Sequence, residues 1–180
     1  MQCAVYNDKA SWQKLKKLLL ANNYDMIIFQ LVRLEFLIFK TISLRKEHSI
    51  KSLIYCDFVD ALSLNMQNRA ATENFLMKKI CGFESKKLSA IEREIYEVID
   101  AGFIISERDA KHIGKEGFKI IPNGVNIPGV KKTLKKDDGV INLAFWGNMS
   151  YYPNVKAAIF LTDLFNSLPK EKYKLQKHVP

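Results

Sequence analysis

The chain has 180 residues, enough for one sizeable domain or two small ones, and its 48% hydrophobic content is sufficient for a core. With 26% charged and 11% aromatic residues, the composition is that of a globular protein and excludes general disorder. An excess of 28 Lys and Arg over 19 Asp and Glu gives a net charge of +9. This charge suits nucleic acid, an anionic membrane surface or phosphate-bearing ligands, and it does not choose among them.

Cysteine usage and the amino terminus indicate a reduced, cytoplasmic compartment. The three cysteines, without any CxxC spacing, are Cys3, Cys56 and Cys81. The first residues lack the basic start and apolar run of a signal peptide. Residues 26–44 form the one candidate for a membrane span, but Arg33, Glu35 and Lys40 interrupt it. We therefore predict a buried strand followed by an amphipathic helix.

Apolar runs and helical periodicity alternate along the chain. The predicted strands are 24–30, 52–56, 101–106, 118–121 and 140–146. The predicted helices are one capped by Ser11, one ending near Arg45, 65–80, 84–99, a short one ending at Ile113, and 154–166. Because the strands are apolar throughout and are separated by helices, we expect parallel strands covered on both faces. The predicted fold class is α/β, with Rossmann-like parallel sheets.

The last third of the chain differs in composition. Residues 125–139 are rich in Lys, Gly and Pro, which is typical of a linker. A second β-α unit begins at residue 140, and we expect it to remain unfinished, followed by a basic and poorly patterned tail. The lysines of the linker lack the interleaved aromatic residues of a nucleic-acid surface, so we predict a solvated face or a contact with acidic lipid.

Two carboxylates follow directly on the strand predicted at 52–56. Loops at the carboxyl ends of parallel strands line the ligand crevice of open α/β sheets. Asp57 or Asp60 could therefore act as a base or bind a ligand hydroxyl. The alternative is that both cap the next helix and stay solvated. The sequence leaves both readings open.

Two turns are further candidates. Asn123 and Gly124 permit a positive φ and mark a tight turn between two β-α regions, which is a candidate hinge. Gly147 and Asn148 follow the last predicted strand, and a helix begins near Asn154. A strand, a glycine and a helix amino terminus are what an anion site needs. The alternative is an ordinary strand-to-helix loop.

Glu84 and Glu92 share one face of a predicted helix, with Leu88 midway between them. Two carboxylates so spaced could act as a catalytic pair. The reading we favour is a helix face that forms salt bridges with Lys87 or Arg93. The histidines, which have no HxxH or HExxH spacing, are His48, His112 and His178. No metal site is predicted.

Five pieces in a fixed order carry a family resemblance. They are the strand end Asp57-Phe58-Val59-Asp60 with Ser63, the helix positions Glu84, Leu88 and Glu92, the strand end with Ser106 and Asp109, the turn Ile121-Pro122-Asn123-Gly124-Val125-Asn126, and the series Phe145, Gly147, Met149, Tyr151, Pro153, Asn154 and Ala157. Together they resemble the family 4 glycosyltransferases of GT-B architecture, most closely the sugar transferases of exopolysaccharide gene clusters.

The resemblance implies an architecture and a reaction. Residues 1–124 would be the latter part of an amino-terminal, acceptor-side Rossmann-like domain, 125–139 an interdomain linker, and 140–180 the start of a carboxyl-terminal domain that binds a nucleotide sugar. The reaction would be transfer, with retention, of a sugar from a nucleotide-diphosphate donor to a hydroxyl of a glycan or lipid-linked acceptor, in polysaccharide or glycolipid biosynthesis. No metal or cofactor is implied.

The resemblance also implies roles for single residues. Donor phosphates would be faced by Gly147, Asn148 and Asn154, the acceptor by Asp57 and Asp60, and the domain junction would contain Asn123 and Gly124. The crevice between the two nucleotide-fold halves is expected near that junction. Asp57 is the candidate base, although the leaving phosphate can take the proton in retaining transfer.

This chain departs from the family pattern in two ways. Family members carry a glycine-rich loop early in the first domain, and here no glycine precedes Gly82. The family's E-x7-E motif lies late in the second domain, so the catalytic label is not transferred to Glu84 and Glu92. We expect an incomplete GT-B fold, a fragment or truncated product that is inactive alone.

Partners and location follow from the same reading. The expected location is cytoplasmic, with peripheral contact at the inner face of the membrane as an option. The alternative function is that of a non-catalytic remnant that binds a protein partner or an anionic membrane. Nucleic acid is not an expected partner.

Overall fold

The computed structural model describes residues 3–125, 129, 139, 141–169 and 172–178. The chain divides into two units, Met1–Val125 and Asn126–Pro180. The linker predicted at 125–139 and its lysines fall almost wholly outside the described residues.

The first unit alternates helices and strands. Its elements are α1 (Lys9–Ala21), β1 (Met26–Gln30), α2 (Glu35–His48), β2 (Leu53–Asp57), α3 (Leu62–Thr72), α4 (Phe75–Val98), β3 (Ala101–Ile104), α5 (Glu107–Ile113) and β4 (Lys119–Ile120), with 3-10 helices at Cys3–Tyr6 and Val32–Leu34. The second unit contains β5 (Ile141–Trp146), α6 (Tyr152–Ser167) and β6 (Tyr173–His178).

The four strands of the first unit form one parallel sheet in the order β1-β2-β3-β4. Phe29 pairs with Cys56, and Cys56 pairs with Gly102, so these residues share one face of the sheet. The α/β class with a parallel sheet is thus confirmed, and the sheet is compatible with a Rossmann-like fold.

The core lies on one face of this sheet, and the expectation of two covered faces is wrong. Strand residues Phe29, Ile54 and Cys56 pack there with apolar residues of α2, α4 and α5. The opposite face carries Met26, Ile28 and Leu53, which are 45% to 58% exposed. Strands that follow one another in chain order through right-handed crossovers place their helices on the same face, which explains the difference.

The helices of the first unit begin at other residues than predicted. Asp8 caps α1, because its carboxylate accepts hydrogen bonds from the Ala10 and Ser11 amides at 3.0 and 2.9 Å. The predicted break before Glu84 is absent, since Gly82 lies inside α4. One glycine costs a helix about 1 kcal/mol. The long buried face of α4 outweighs that cost.

The second unit completes a β-α-β arrangement. Strands β5 and β6 pair in parallel, from Ile141 with Tyr173 to Trp146 with His178. The expectation of an unfinished unit with a patternless tail is therefore wrong. The strand β6 was not predicted, because its sequence is rich in Lys and its alternation of apolar and polar residues is short. Among the helices that the structure describes, none combines the length and apolarity needed to cross a bilayer.

Candidate functional site

Asp57 and Asp60 lie at the carboxyl end of β2, and both are half-buried. Asp57 Oδ1 accepts a hydrogen bond from the Val59 amide at 3.0 Å. Asp60 Oδ2 accepts one from Asn65 Nδ2 at 2.8 Å. Each carboxylate thus binds within its own loop or to a side chain of α3. The α3 cap residue is Ala61 and no side chain caps the helix there, so the capping part of the alternative reading of Asp57 and Asp60 is wrong.

The loop that carries these carboxylates is strained. Val59 has φ +63°, and the Asp60 amide donates to the Phe58 carbonyl at 2.8 Å, which closes a three-residue turn around Val59. Leu31, just after β1, also has positive φ, +76°, and its amide donates to the Asp57 carbonyl at 2.8 Å. A β-branched residue in this region is a genuine outlier, and such strain concentrates at functional sites.

Two acids distant in sequence hold the amino terminus of α3. The Ala61 amide donates to Asp109 Oδ1 at 3.1 Å, and the Ser63 amide donates to Glu92 Oε1 at 3.0 Å. Asp109 is itself bound to the hydroxyl of Ser106, the residue that caps α5. Acceptors at this position satisfy first-turn amides and match the positive end of the helix dipole.

Ser63 lies at the centre of a polar cluster that joins three helices. Its Oγ is 2.5 Å from Glu92 Oε2 and 3.1 Å from His112 Nε2, and its carbonyl accepts a hydrogen bond from Ser85 Oγ at 2.8 Å. Ser63 and Glu92 are fully buried, whereas His112 is half-buried. The face of α4 that Glu84 and Glu92 share is buried. Glu92 binds Ser63, which the salt-bridge reading did not predict, and for Glu84 that reading stays a prediction.

The cluster can hold and move a proton. The Ser63 hydroxyl has one hydrogen, so it donates to the Glu92 carboxylate or to His112, but not to both. Burial raises the pKa of Glu92 above its ordinary value of 4.5, while hydrogen bonds from Ser63 act in the opposite direction. The arrangement therefore links a buried carboxyl group through a hydroxyl to a partly exposed imidazole.

The fold brings together three of the sequence pieces that stand apart in the chain. The Asp57–Asp60 loop, Glu92 and Asp109 meet around the start of α3, at the carboxyl edge of the sheet. His112 was missed as a member of this group. In the sequence, His112 was considered only as a metal ligand. No local pattern links it to Ser63, which is 49 residues away.

Asn123 and Gly124 follow β4 and are exposed, in a segment without regular secondary structure. A Cβ added at Gly124 would meet no atom within 4 Å. Neither residue has a positive φ and the segment forms no turn, so the predicted tight turn is wrong. The segment is held two residues earlier, where the Ile121 amide donates to the Ile104 carbonyl at 2.9 Å.

The loop between β5 and α6 is closed by Asn148 and Asn154. The Asn148 side chain accepts from the Ser150 amide at 2.8 Å, and its carbonyl accepts from the Tyr151 amide at 3.1 Å and from Asn154 Nδ2 at 3.0 Å. Gly147 sits against this closure, since an added Cβ would lie 3.0 Å from the Asn154 side chain. The constraint on this position is therefore close approach, because a Cβ would force the Asn154 side chain to shift.

The polar cluster around Ser63 differs from the grooves on the surface, and the described residues offer no metal-binding group. Within the described ranges, no three His, Cys, Asp or Glu residues are grouped so as to hold a metal ion. Three shallow grooves, of about 420, 370 and 360 Å³, lie along α1, along α2 and along α6. Polar groups from three helices converge in the cluster, and such convergence is one mark of a binding site.

Comparison with known proteins gives no relative. No family model, no curated protein and no solved structure matches this chain. The fold and the cluster thus define an α/β protein with a polar site at the carboxyl edge of a parallel sheet.

Proposed function

We propose that this chain is a glycosyltransferase of the GT-B type, or a piece of one, and that it resembles family 4. The proposed reaction is retaining transfer of a sugar from a nucleotide-diphosphate donor to a hydroxyl of a glycan or lipid-linked acceptor. It needs no metal or cofactor, and its location is cytoplasmic, with peripheral contact at the inner face of the membrane as an option.

The single observation that carries the proposal is the convergence around the start of α3. The motif residues Asp57, Glu92 and Asp109 come from three separate pieces of the family resemblance, and each binds an amide of the segment 59–63. In open α/β sheets, ligands bind beyond the carboxyl ends of the strands. The three acids therefore support a site at that edge.

These three acids and Asp60 divide into two proposed roles. Both carboxylate oxygens of Glu92 bind Ser63, and those of Asp109 bind Ala61 and Ser106, so these two residues fix the loop and do not face a substrate. Asp57 and Asp60 are half-buried and remain the acceptor-side candidates. A rigid loop keeps such groups in the productive geometry, which is how a supporting layer contributes to catalysis.

The donor side of the proposal rests on the β5–α6 loop. Gly147 leaves room for the Asn154 side chain, and Asn148 and Asn154 fix the shape of the loop through their mutual hydrogen bond. Leaving-group charge on a diphosphate would be stabilised by amides and by the helix dipole. Asn123 and Gly124 are the proposed hinge.

Calorimetric titration of the full chain with UDP-glucose and GDP-mannose tests donor binding, and release of UDP or GDP tests turnover. We expect binding of at least one donor, weakened about tenfold in Gly147→Ala because the new methyl group displaces Asn154. Gly82→Ala is the matched control, since an added Cβ there meets nothing within 4 Å.

A second pair of variants tests the acceptor side. Asp57→Asn is expected to keep donor binding and to lower the transfer rate by at least about tenfold, within the range of general acid–base effects. Asp25→Asn is the control, because Asp25 is exposed and precedes β1 at the opposite edge of the sheet. If the chain neither binds nor hydrolyses any donor, the proposal is refuted for this chain.

A further inference from the structure

The first half of α4 carries an exposed surface that the proposed reaction does not use. Its buried face contains Cys81, Glu84 and Leu88. The opposite face carries Phe75, Leu76 and Phe83, which are 67% to 74% exposed, together with Ile80, which is partly exposed. Three large side chains in so short a stretch form an apolar patch that water does not favour.

Lysines surround this patch. Lys78, Lys79, Lys86 and Lys87 are all exposed, and Lys79 Nζ lies 4.4 Å from the centre of the Phe75 ring. From residue 75 to residue 90 the sequence has one acidic residue, Glu84, which is buried on the other face. We call these four lysines and the four apolar residues Phe75, Leu76, Ile80 and Phe83 the α4 patch.

The geometry places both kinds of side chain on one helix face. Phe75, Lys79 and Phe83 are spaced four residues apart, so they lie one above the other along the helix. Phe83 and Lys86 are three residues apart and continue the same row. An outward face that mixes apolar anchors with cations is the pattern of helices that lie in a membrane interface.

We propose that the α4 patch binds the surface of a membrane containing anionic lipids. Phe75, Leu76 and Phe83 enter the headgroup region, while the lysines contact lipid phosphates. Complementarity of charge selects this occupant, because the exposed charges in the patch are all positive and the chain carries +9. The proposal does not depend on the transfer reaction.

Co-sedimentation of the full chain with vesicles tests the proposal. One set of vesicles is phosphatidylcholine alone and the other is an equimolar mixture with phosphatidylglycerol. We expect pelleting with the anionic vesicles, and weaker pelleting when the salt is raised from about 0.1 M to about 1 M, since the screening length falls from roughly 10 to 3 Å.

Two variants assign the binding to the patch. Phe83→Ser is expected to weaken binding to anionic vesicles about fivefold, as expected for partial loss of one phenyl group's burial. Phe160→Ser is the matched control, because Phe160 on α6 is 69% exposed and Phe83 is 70% exposed. Lys79→Glu with Lys86→Glu is expected to remove the preference for anionic lipid. Circular dichroism verifies that each variant retains its helices.

Three results would overturn the proposal. The first is equal pelleting with both kinds of vesicle. The second is a Phe83→Ser variant that binds as tightly as Phe160→Ser. The third is a wild-type dimer, seen by analytical ultracentrifugation without lipid, that Phe83→Ser dissociates, because the patch would then be covered by a second copy of the chain.

Discussion

Ser63 Oγ lies 2.5 Å from Glu92 Oε2, and the two residues are 29 positions apart in the sequence. The pair joins the first turn of α3 to the carboxyl-terminal half of α4, and the same hydroxyl reaches His112 on α5 at 3.1 Å. Buried polar groups stabilise a fold only when each of them has a partner. The pair therefore fixes the start of α3, which directly follows the Asp57–Asp60 loop, against α4.

Ser63→Ala is expected to lower the free energy of unfolding by about 2 kcal/mol, because it leaves a buried carboxyl group without one hydrogen-bond donor. Urea denaturation measures the change. Ser43→Ala is the control, since that hydroxyl is exposed and binds only a carbonyl of its own helix. A loss below about 0.5 kcal/mol in Ser63→Ala, the scale of surface changes, would contradict a structural role for the pair.

Stability should depend on pH through Glu92. Burial raises the pKa of Glu92 in the folded chain above its ordinary value of 4.5, so the native state holds the proton more tightly than the unfolded state. The resulting stabilisation is present below pH 4.5 and is lost as the pH rises through the folded pKa. Glu92→Gln removes this dependence. Denaturant midpoints of wild type and Glu92→Gln are measured from pH 4 to pH 8. The difference between the two midpoints should become smaller as the pH falls. A difference that stays constant over this range would contradict a raised pKa for Glu92.

Val59→Gly is expected to raise the free energy of unfolding relative to Val59→Ala by about 1 kcal/mol. Val59 has φ +63° at the centre of the turn closed by the Asp60 amide and the Phe58 carbonyl, a conformation that glycine adopts without steric cost and residues with a Cβ do not. Both variants remove the branched side chain, so the comparison isolates the backbone strain. Equal urea midpoints for the two variants would show that the turn carries no strain.

Two glycines should respond to alanine in opposite directions. Gly102→Ala is expected to destabilise by about 2 kcal/mol, because the new methyl group would lie 2.9 Å from a ring carbon of Phe118 and 3.1 Å from one of Tyr96. Gly82→Ala is expected to stabilise by about 0.5–1 kcal/mol, since the site is helical and open. Thermal melting of both variants measures the signs, and two changes of the same sign would contradict this packing.

Cysteine thiols should be protected in the folded chain. Burial raises the pKa of Cys56 to about 12 and that of Cys3 to about 11, so little of either exists as reactive thiolate. We expect a disulfide reagent such as Ellman's to label these thiols slowly in buffer and rapidly in urea. Fast labelling of Cys3→Ser protein under native conditions would show that Cys56 or Cys81 is accessible, against their burial.

Some elements of the fold could be predicted from local sequence patterns, and others depend on tertiary packing. The strands predicted at 24–30 and 52–56 are present as Met26–Gln30 and Leu53–Asp57, because a short apolar run between polar segments has few other solutions. The break predicted before Glu84 is wrong, because α4 runs through Gly82 and its long buried face outweighs the cost of one glycine. The strand Tyr173–His178 was missed because pairing with β5, not composition, stabilises it.

The candidate site shows the same division. The sequence marked Asp57, Asp60 and the Gly147 loop, since each follows directly on a strand. It did not predict that Glu92 is buried against Ser63, or that His112 joins them. Those contacts depend on how α3, α4 and α5 pack.

The amino-acid order by itself determined the α/β class, the parallel strands and the residues that end them, because these follow from short-range periodicity and turn chemistry. Only the tertiary structure decided which face of the sheet is covered, which acids bind the first turn of α3, and which side of α4 carries exposed phenylalanines. Each of these depends on contacts between residues far apart in the chain, and no local pattern encodes such distances.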